Sequence, residues 1–109
     1  MPERDLIVQP INISKEATCD LQEFFSLLKD WLKLHKYAFI EREHNRVEKA
    51  KNLYNINLKL ECMKKIDKNT RSLIDIKIKC GNCEDTVENN KKLCHTNLSL
   101  EIQGFIEHD

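Results

Sequence analysis

The chain has 109 residues, which is the size of one domain. Hydrophobic residues make up 40% and charged residues 33%, with only 2 Gly and 2 Pro, so the composition excludes a disordered tail and a collagen-like repeat. The formal net charge is +0, which removes the simplest argument for a nucleic-acid or acidic partner. No apolar run reaches the roughly 18–20 residues that a membrane span needs. The sequence therefore predicts a single domain over residues 1–109 and no membrane partner.

The first residues and the cysteines indicate the compartment. Residues 6–13 are interrupted by Gln9, Pro10 and Asn12, so they do not form the apolar region of a signal peptide. The 5 cysteines are an odd number, and without a secretion signal we expect reduced thiols. These features predict a cytoplasmic protein.

Taken in chain order, the first predicted element is a strand over residues 6–13. Pro10 cannot donate to a ladder, so it places this strand at a sheet edge or at a bulge. Residues 14–18 are expected to be a connector. A long helix over about residues 20–36 follows, because Asp20 and Glu23 have the spacing of a capping box and apolar residues then recur at helical spacing.

In the rest of the chain, apolar and polar residues alternate with period two, which predicts strands with one buried and one solvated face. We expect a charged strand over residues 39–47 and apolar-faced strands around residues 56–62, 74–80 and 98–106. Residues 67–69 predict a short hairpin loop, and residues 81–92 a longer polar loop. The predicted class is α+β: one long amphipathic helix packed on a four- to five-stranded, mainly antiparallel sheet, in the order β-α-β-β-β-β.

Three segments carry a resemblance at the level of this pattern: FSLLKDWLKLHKYAFIEREH, CMKKIDKNTRSLIDIKIKC and LSLEIQGFIEHD. Together they are similar to a group of small archaeal α+β proteins for which no activity is known. The resemblance implies a cytosolic, archaeal-type protein and brings no activity or site residue with it.

One cysteine and histidine constellation could hold a metal. Cys80 and Cys83 could present two ligands to zinc and Cys94 or His95 a third, with the fourth from His44, His108 or Cys19. However, Cys94 and His95 are adjacent, and on a strand their side chains point to opposite faces. The alternation places Cys62, Cys80 and Cys94 in phase with core residues, so we favour buried free thiols. A disulfide from Cys80 or Cys83 to Cys94 is the next alternative, and zinc comes after it.

A polar site is a second hypothesis, because Arg42 and His44 share one face of a predicted strand. The alternative is that charges on this strand prevent aggregation at a sheet edge, and we favour that interpretation. The sequence contains no Ser-His-Asp order, phosphate loop or zinc-protease motif. We therefore expect a protein that is not an enzyme and that has no cofactor.

The charges are unevenly distributed along the chain. Residues 42–79 hold eleven Lys or Arg against five Asp or Glu, whereas residues 80–109 hold two against six. A nucleic-acid interface on the outer face of the sheet is therefore an alternative hypothesis. Its contacts would be Lys59, Lys64, Lys65, Lys77 and Lys79, but stacking aromatic residues are missing from this pattern.

The main functional expectation rests on incomplete coverage of the sheet. A helix of about 16 residues is only about 24 Å long, so it cannot shield the inner face of five strands. The uncovered apolar area then favours a small interaction or ligand-binding module, which would form a homodimer or bind another protein.

Overall fold

The computed structural model describes the backbone of residues 3–108 and the side chains of residues 11–108. Five strands and one helix account for most of this backbone. They are β1 (Glu3–Cys19), α1 (Leu21–Leu34), β2 (Ala38–Ala50), β3 (Leu53–Lys65), β4 (Thr70–Glu88) and β5 (Lys91–His108).

All five strands belong to one antiparallel sheet in the order β1-β5-β4-β3-β2. Strands β2 to β5 form a meander, and β1 completes the sheet by pairing with β5. The helix connects the two edge strands, and so it crosses one face of the sheet. The antiparallel sheet expected from the alternation is confirmed.

The predicted α+β class with a long packed helix is wrong. Strands make up 73% of the chain, so the protein is mostly β with one short helix. The helix has 14 residues and is about 21 Å long, whereas the longest dimension of the molecule is 50 Å.

Two segments predicted to be irregular are strand, and this explains the change of class. Residues 14–18 continue β1 against β5, and most of residues 81–92 extend the β4–β5 hairpin. The hairpin closes at Asn89 and Asn90, whose φ angles of 51° and 63° suit a tight turn that matches the twist of the strands. Polar composition misled the prediction because both faces of the hairpin end are exposed.

The ends of α1 follow from local chemistry. The side chain of Asp20 accepts a hydrogen bond of 3.2 Å from the backbone N–H of Glu23, as the capping box predicts. The helix ends at Leu34, two residues before the expected end, because Lys36 takes a φ of 64°. The backbone N–H of Tyr37 then bonds to the carbonyl of Leu32 at 2.8 Å.

The core lies between α1 and the inner face of the central strands. Alternate residues of β3 and β4 are buried, as predicted, and they pack under the apolar stripe of the helix. The helix contributes Leu21, Phe25 and Leu32 to this core, and the strands contribute Leu58, Leu60, Cys62, Ile76, Ile78 and Cys80.

Irregularities in the pairing alter which face some residues occupy. The register shifts between Val8 and Ile11, so Pro10 lies at an irregularity of an edge strand, as expected. The further shifts include one between Glu41 and Glu43 in β2 and one between Gly81 and Glu84 in β4. Each inserts a residue and resets the alternation.

Candidate ligand cavity

A cavity of about 540 Å³ opens between the first turn of α1 and one end of the sheet. We call it the end cavity. Its walls come from both edge strands, β3, the β4–β5 hairpin and the helix. The lining residues are Cys19, Asp20, Leu21, Gln22, Phe25, His44, Asn45, Arg46, Tyr54, Ile56, Asp85, Lys92, Leu93 and Cys94.

The apolar part of the end cavity is built by the helix and β3. Leu21 and Phe25 belong to the buried stripe of α1, and Ile56 follows the inward alternation of β3. The imidazole of His44 meets the ring of Phe25 edge to face, with the ring centroids 6.0 Å apart. A ligand in this cavity would therefore contact an apolar floor and an aromatic wall.

Tyr54 is the central polar group of the end cavity. Its side chain is only 5% exposed, and its hydroxyl donates a hydrogen bond of 2.6 Å to Oδ1 of Asp85. The guanidinium of Arg46 lies 3.7 Å from the centroid of the ring, in cation–π geometry. Burial and then the bond to Asp85 raise the pKa of Tyr54 well above its usual value, so the phenol stays neutral.

Two thiols line the end cavity and two more lie behind it. Cys19 and Cys94 are directly opposite each other in the β1–β5 ladder. Cys94 lies 3.6 Å from the Tyr54 hydroxyl, and burial raises its pKa to about 11. Burial likewise raises the pKa of Cys80 to about 12, so both thiols stay protonated at neutral pH.

Cys83 is buried for a reason that the alternation did not predict. The register shift after Gly81, with a φ of 51° at Asn82, turns its side chain to the inner face. The sulfur lies 3.2 Å from Oγ1 of Thr96, which itself donates to the carbonyl of Gly81. Cys62, Cys80 and Cys94 are buried as their phase predicted, and all five cysteines are free.

The structure brings Cys80, Cys83 and Cys94 near one another but leaves His95 apart from them. His95 lies on the outer face, where its Nδ1 is 2.8 Å from the hydroxyl of Thr18, whereas Cys94 faces inward. Of the suggested fourth ligands, His44 lines the end cavity with Cys19, but His108 is at the opposite end of β5. Among residues 11–108, no cluster of three or more ligand-type side chains is placed to hold a metal ion.

Arg42 and His44 lie on opposite faces of β2, so they do not form a common polar site. The shift between Glu41 and Glu43 leaves Arg42 on the outer face, where its Nε is 2.9 Å from Glu61. His44 faces the helix, close to Phe25. The inserted residue separates two side chains that a regular strand would place together.

The lysines proposed as nucleic-acid contacts are also divided between the two faces. Lys59 and Lys77 are directly opposite each other in the β3–β4 ladder, and Lys79 is exposed on the same face. Lys65 pairs with Arg71 at the far end. The ammonium of Lys64 instead lies over the ring of Tyr37 on the helix side, 5.7 Å from its centroid. Nucleic-acid binding stays a prediction.

A second apolar feature lies on the side of α1 that points away from β2. Lys29 forms an ion pair with Glu41 of β2, and Trp31 lies about 200° farther around the helix, so it points away from β2. Ile11 and Ile13 of β1 are 46% and 50% exposed on the helix side of the sheet. We call this the edge surface, and its exposed residues are Ile11, Ile13, Leu27 and Trp31.

No protein-family model matches the chain, and comparison with curated proteins and solved structures found no similar protein. Within residues 3–108, no helix is long and apolar enough to cross a bilayer. The structure thus defines a mostly β domain with one helix, and its candidate site rests on geometry alone.

Sequence reasoning missed the polar centre of the end cavity. Tyr54 starts the inward alternation that continues with Ile56 and Leu58, so its inward orientation could have been inferred. Asp85 lay in a segment that we expected to be a loop, and its pairing with Tyr54 depends on the register shift in β4.

Proposed function

We propose that the protein is a non-enzymatic binding module that holds a small organic ligand in the end cavity. The observation that carries the proposal is the cavity itself. Its volume of about 540 Å³ is in the usual range of ligand pockets, and it combines an apolar floor with a few converging polar groups.

The ionisation of the lining groups supports binding over catalysis. A cysteine nucleophile acts as the thiolate, but burial raises the pKa of Cys94 and keeps its thiol protonated at neutral pH. Tyr54 is held neutral in the same way, and its hydroxyl already donates a hydrogen bond to Asp85. These groups can donate or accept hydrogen bonds, but they are not activated for attack.

The lining of the cavity carries cations that suit an amphipathic ligand. Arg46 and Lys92 line the cavity together with an apolar floor that includes Phe25 and Ile56. The two carboxylates in the lining, Asp20 and Asp85, already accept hydrogen bonds from the Glu23 N–H and the Tyr54 hydroxyl. An aromatic body with one anionic group would place its rings on the floor and its charge near Arg46 and Lys92. The fluorescent dye 1-anilinonaphthalene-8-sulfonate has this composition and serves as the probe.

The experiment titrates the native protein with this dye and compares two tryptophan variants. Gln22→Trp puts a large side chain at the cavity opening, whereas Asp30→Trp puts the same side chain on the solvent face of the same helix. We expect saturable binding to the wild type and to Asp30→Trp, with affinity at least about tenfold lower for Gln22→Trp. Equal affinity for both variants would refute the proposal.

A third variant separates the end cavity from the edge surface, which is also apolar. Ile13→Lys places a charge on the edge surface and leaves the end cavity unchanged. The proposal requires that dye binding survive this substitution. Loss of binding in Ile13→Lys alone would move the ligand site to the edge surface.

The proposal includes a reducing cytoplasmic compartment, which the five free thiols support. Incubation with a glutathione buffer poised at the cytosolic potential should leave all five thiols titratable after denaturation. Recovery of a disulfide-linked peptide under that condition would contradict the proposal that the thiols stay reduced in the cytoplasm.

A further inference from the structure

The two edges of the sheet differ in how well they resist pairing with another strand. In β2, residues 41–49 include six charged side chains, and an edge charged in this way resists further pairing. In β1, residues 11–17 read Ile-Asn-Ile-Ser-Lys-Glu-Ala, with only two charged side chains. Since β1 pairs with β5 on one side only, the backbone groups on its other side are available to another strand.

The accessible part of β1 is regular and has defined ends. The register with β5 is continuous from Ile11 to Cys19, whereas a shift and Pro10 interrupt it just before Ile11. Pro10 lacks a backbone N–H, so an added ladder would end there. Ile11–Cys19 is therefore the regular segment that a further strand can pair with.

We propose that β1 pairs with β1 of a second copy of this chain, antiparallel and about a twofold axis at Ser14. Residues directly opposite in an antiparallel pair share a face, so the axis must lie midway between the two copies of one residue. Ser14 is next to Lys15, the midpoint of the regular segment, and an axis at Ser14 avoids placing the two Lys15 ammonium groups opposite each other. This register places Ile11 opposite the partner's Ala17, and Asn12 opposite the partner's Glu16.

The side chains favour a second copy because the segment is complementary to itself in this register. On the helix side, Ile11 meets a small apolar residue, and Ile13 meets the aliphatic stem of the partner's Lys15. On the outer face, the amide of Asn12 can donate to the partner's Glu16, and the symmetry repeats each contact. The formal net charge of +0 means that two copies have no net repulsion to overcome.

The pairing also accounts for the edge surface. A twofold axis perpendicular to the sheet keeps both helices on the same face, one on each side of the joined β1 strands. Ile11 and Ile13 of both copies then form one apolar strip on the face of the joined sheet that carries both helices. The two sheets of five strands become one continuous sheet.

The test is the mass of the protein in solution, measured by light scattering after size-exclusion chromatography. The protein is loaded at about 100 µM, so that a dimer with a dissociation constant of about 1 µM would be populated. We expect a mass about twice 12.9 kDa for the wild type. Ser14→Lys would place two ammonium groups opposite each other at the axis, so we expect it to be monomeric. Val47→Lys puts the same charge on the β2 edge, where Val47 is exposed, and should remain dimeric.

Circular dichroism and dye binding check that Ser14→Lys is folded, because the end cavity is remote from Ser14 in the β1–β5 ladder. A folded monomeric Ser14→Lys variant beside a dimeric Val47→Lys variant supports the pairing. A monomeric wild type, or two variants with the same mass, would overturn it and leave β1 to a partner other than this chain. Failure of dye binding in a dimeric protein would instead contradict only the proposed function.

Discussion

The Tyr54 hydroxyl donates a hydrogen bond of 2.6 Å to the Asp85 carboxylate, joining the start of β3 to the β4–β5 hairpin. Both residues line the end cavity, and the ring of Tyr54 also supports the guanidinium of Arg46. This one contact therefore sets the position of the polar groups around the cavity.

Tyr54→Phe removes the donor and keeps the ring. We expect the free energy of unfolding to fall by about 1 kcal/mol, since Asp85 is exposed and water can replace the lost bond. Urea unfolding followed by circular dichroism measures the change. Asp85→Ala removes the acceptor and completes a double-mutant cycle, and two effects that simply add would contradict a direct interaction.

Helix packing gives a matched pair of substitutions. Leu32 is 0% exposed beneath α1, whereas Leu34 at the end of the same helix is 77% exposed. Leu32→Ala should destabilise the protein by about 2–5 kcal/mol, and Leu34→Ala by about 0.5 kcal/mol or less. Comparable losses for the two variants, measured by urea unfolding, would mean that the helix does not pack as described.

Two arginines on the outer face differ in the burial of their partners. Arg71 pairs with Glu107, whose side chain is 9% exposed, whereas the Glu61 partner of Arg42 is 42% exposed. Arg71→Met should lower the free energy of unfolding by about 1–3 kcal/mol because a largely buried carboxylate loses its ion pair with Arg71. Arg42→Met should change the free energy of unfolding by about 1 kcal/mol or less. A larger loss for Arg42→Met than for Arg71→Met would contradict the described difference in burial between the two carboxylates.

Thiol reactivity tests the burial of the cysteines. Cys19 is the one cysteine that is partly exposed, and the other four are buried. In the native protein, we expect one thiol to react with Ellman's reagent and the other four to react only after denaturation. Cys19→Ser should abolish the native reaction, and a second fast thiol in that variant would contradict the described packing.

The buried thiols also predict a loss of stability at alkaline pH. Burial raises the pKa of Cys80 to about 12 from 9.0, so the fold favours the protonated thiol. Its contribution to stability is complete below about pH 9 and is lost as the pH rises towards 12.

Urea unfolding between about pH 8 and about pH 10.5 should therefore show a falling free energy of unfolding, with a shallower fall for Cys80→Ala. The slope is compared instead of the absolute stability, because removal of the sulfur also leaves a small cavity. Equal slopes for the two proteins would show that Cys80 titrates normally.

Local patterns predicted the regular parts of the fold. The capping residue Asp20 located the helix start, and the alternation through Leu58 and Leu60 located the buried face of β3. The signals were sufficient there because helix caps and alternation involve residues close in sequence. The class was still wrong, because the polar segments at the end of β1 and around Asn89 are strand.

The candidate site was harder to predict because two inserted residues reset the alternation. The shift after Glu41 separates Arg42 from His44, and the shift after Gly81 turns Cys83 inward. Such shifts depend on pairing between strands, which one sequence does not show. The site therefore combines residues that no local pattern relates, such as Tyr54 and Asp85.

The most direct test of the end cavity as the ligand site is a nuclear magnetic resonance titration of the ¹⁵N-labelled protein with 1-anilinonaphthalene-8-sulfonate. We expect the largest amide shifts at Leu21, Arg46, Tyr54 and Cys94, which line the end cavity. Shifts concentrated at Ile11, Ile13 and Trp31, with the cavity residues unchanged, would contradict the end cavity as the ligand site.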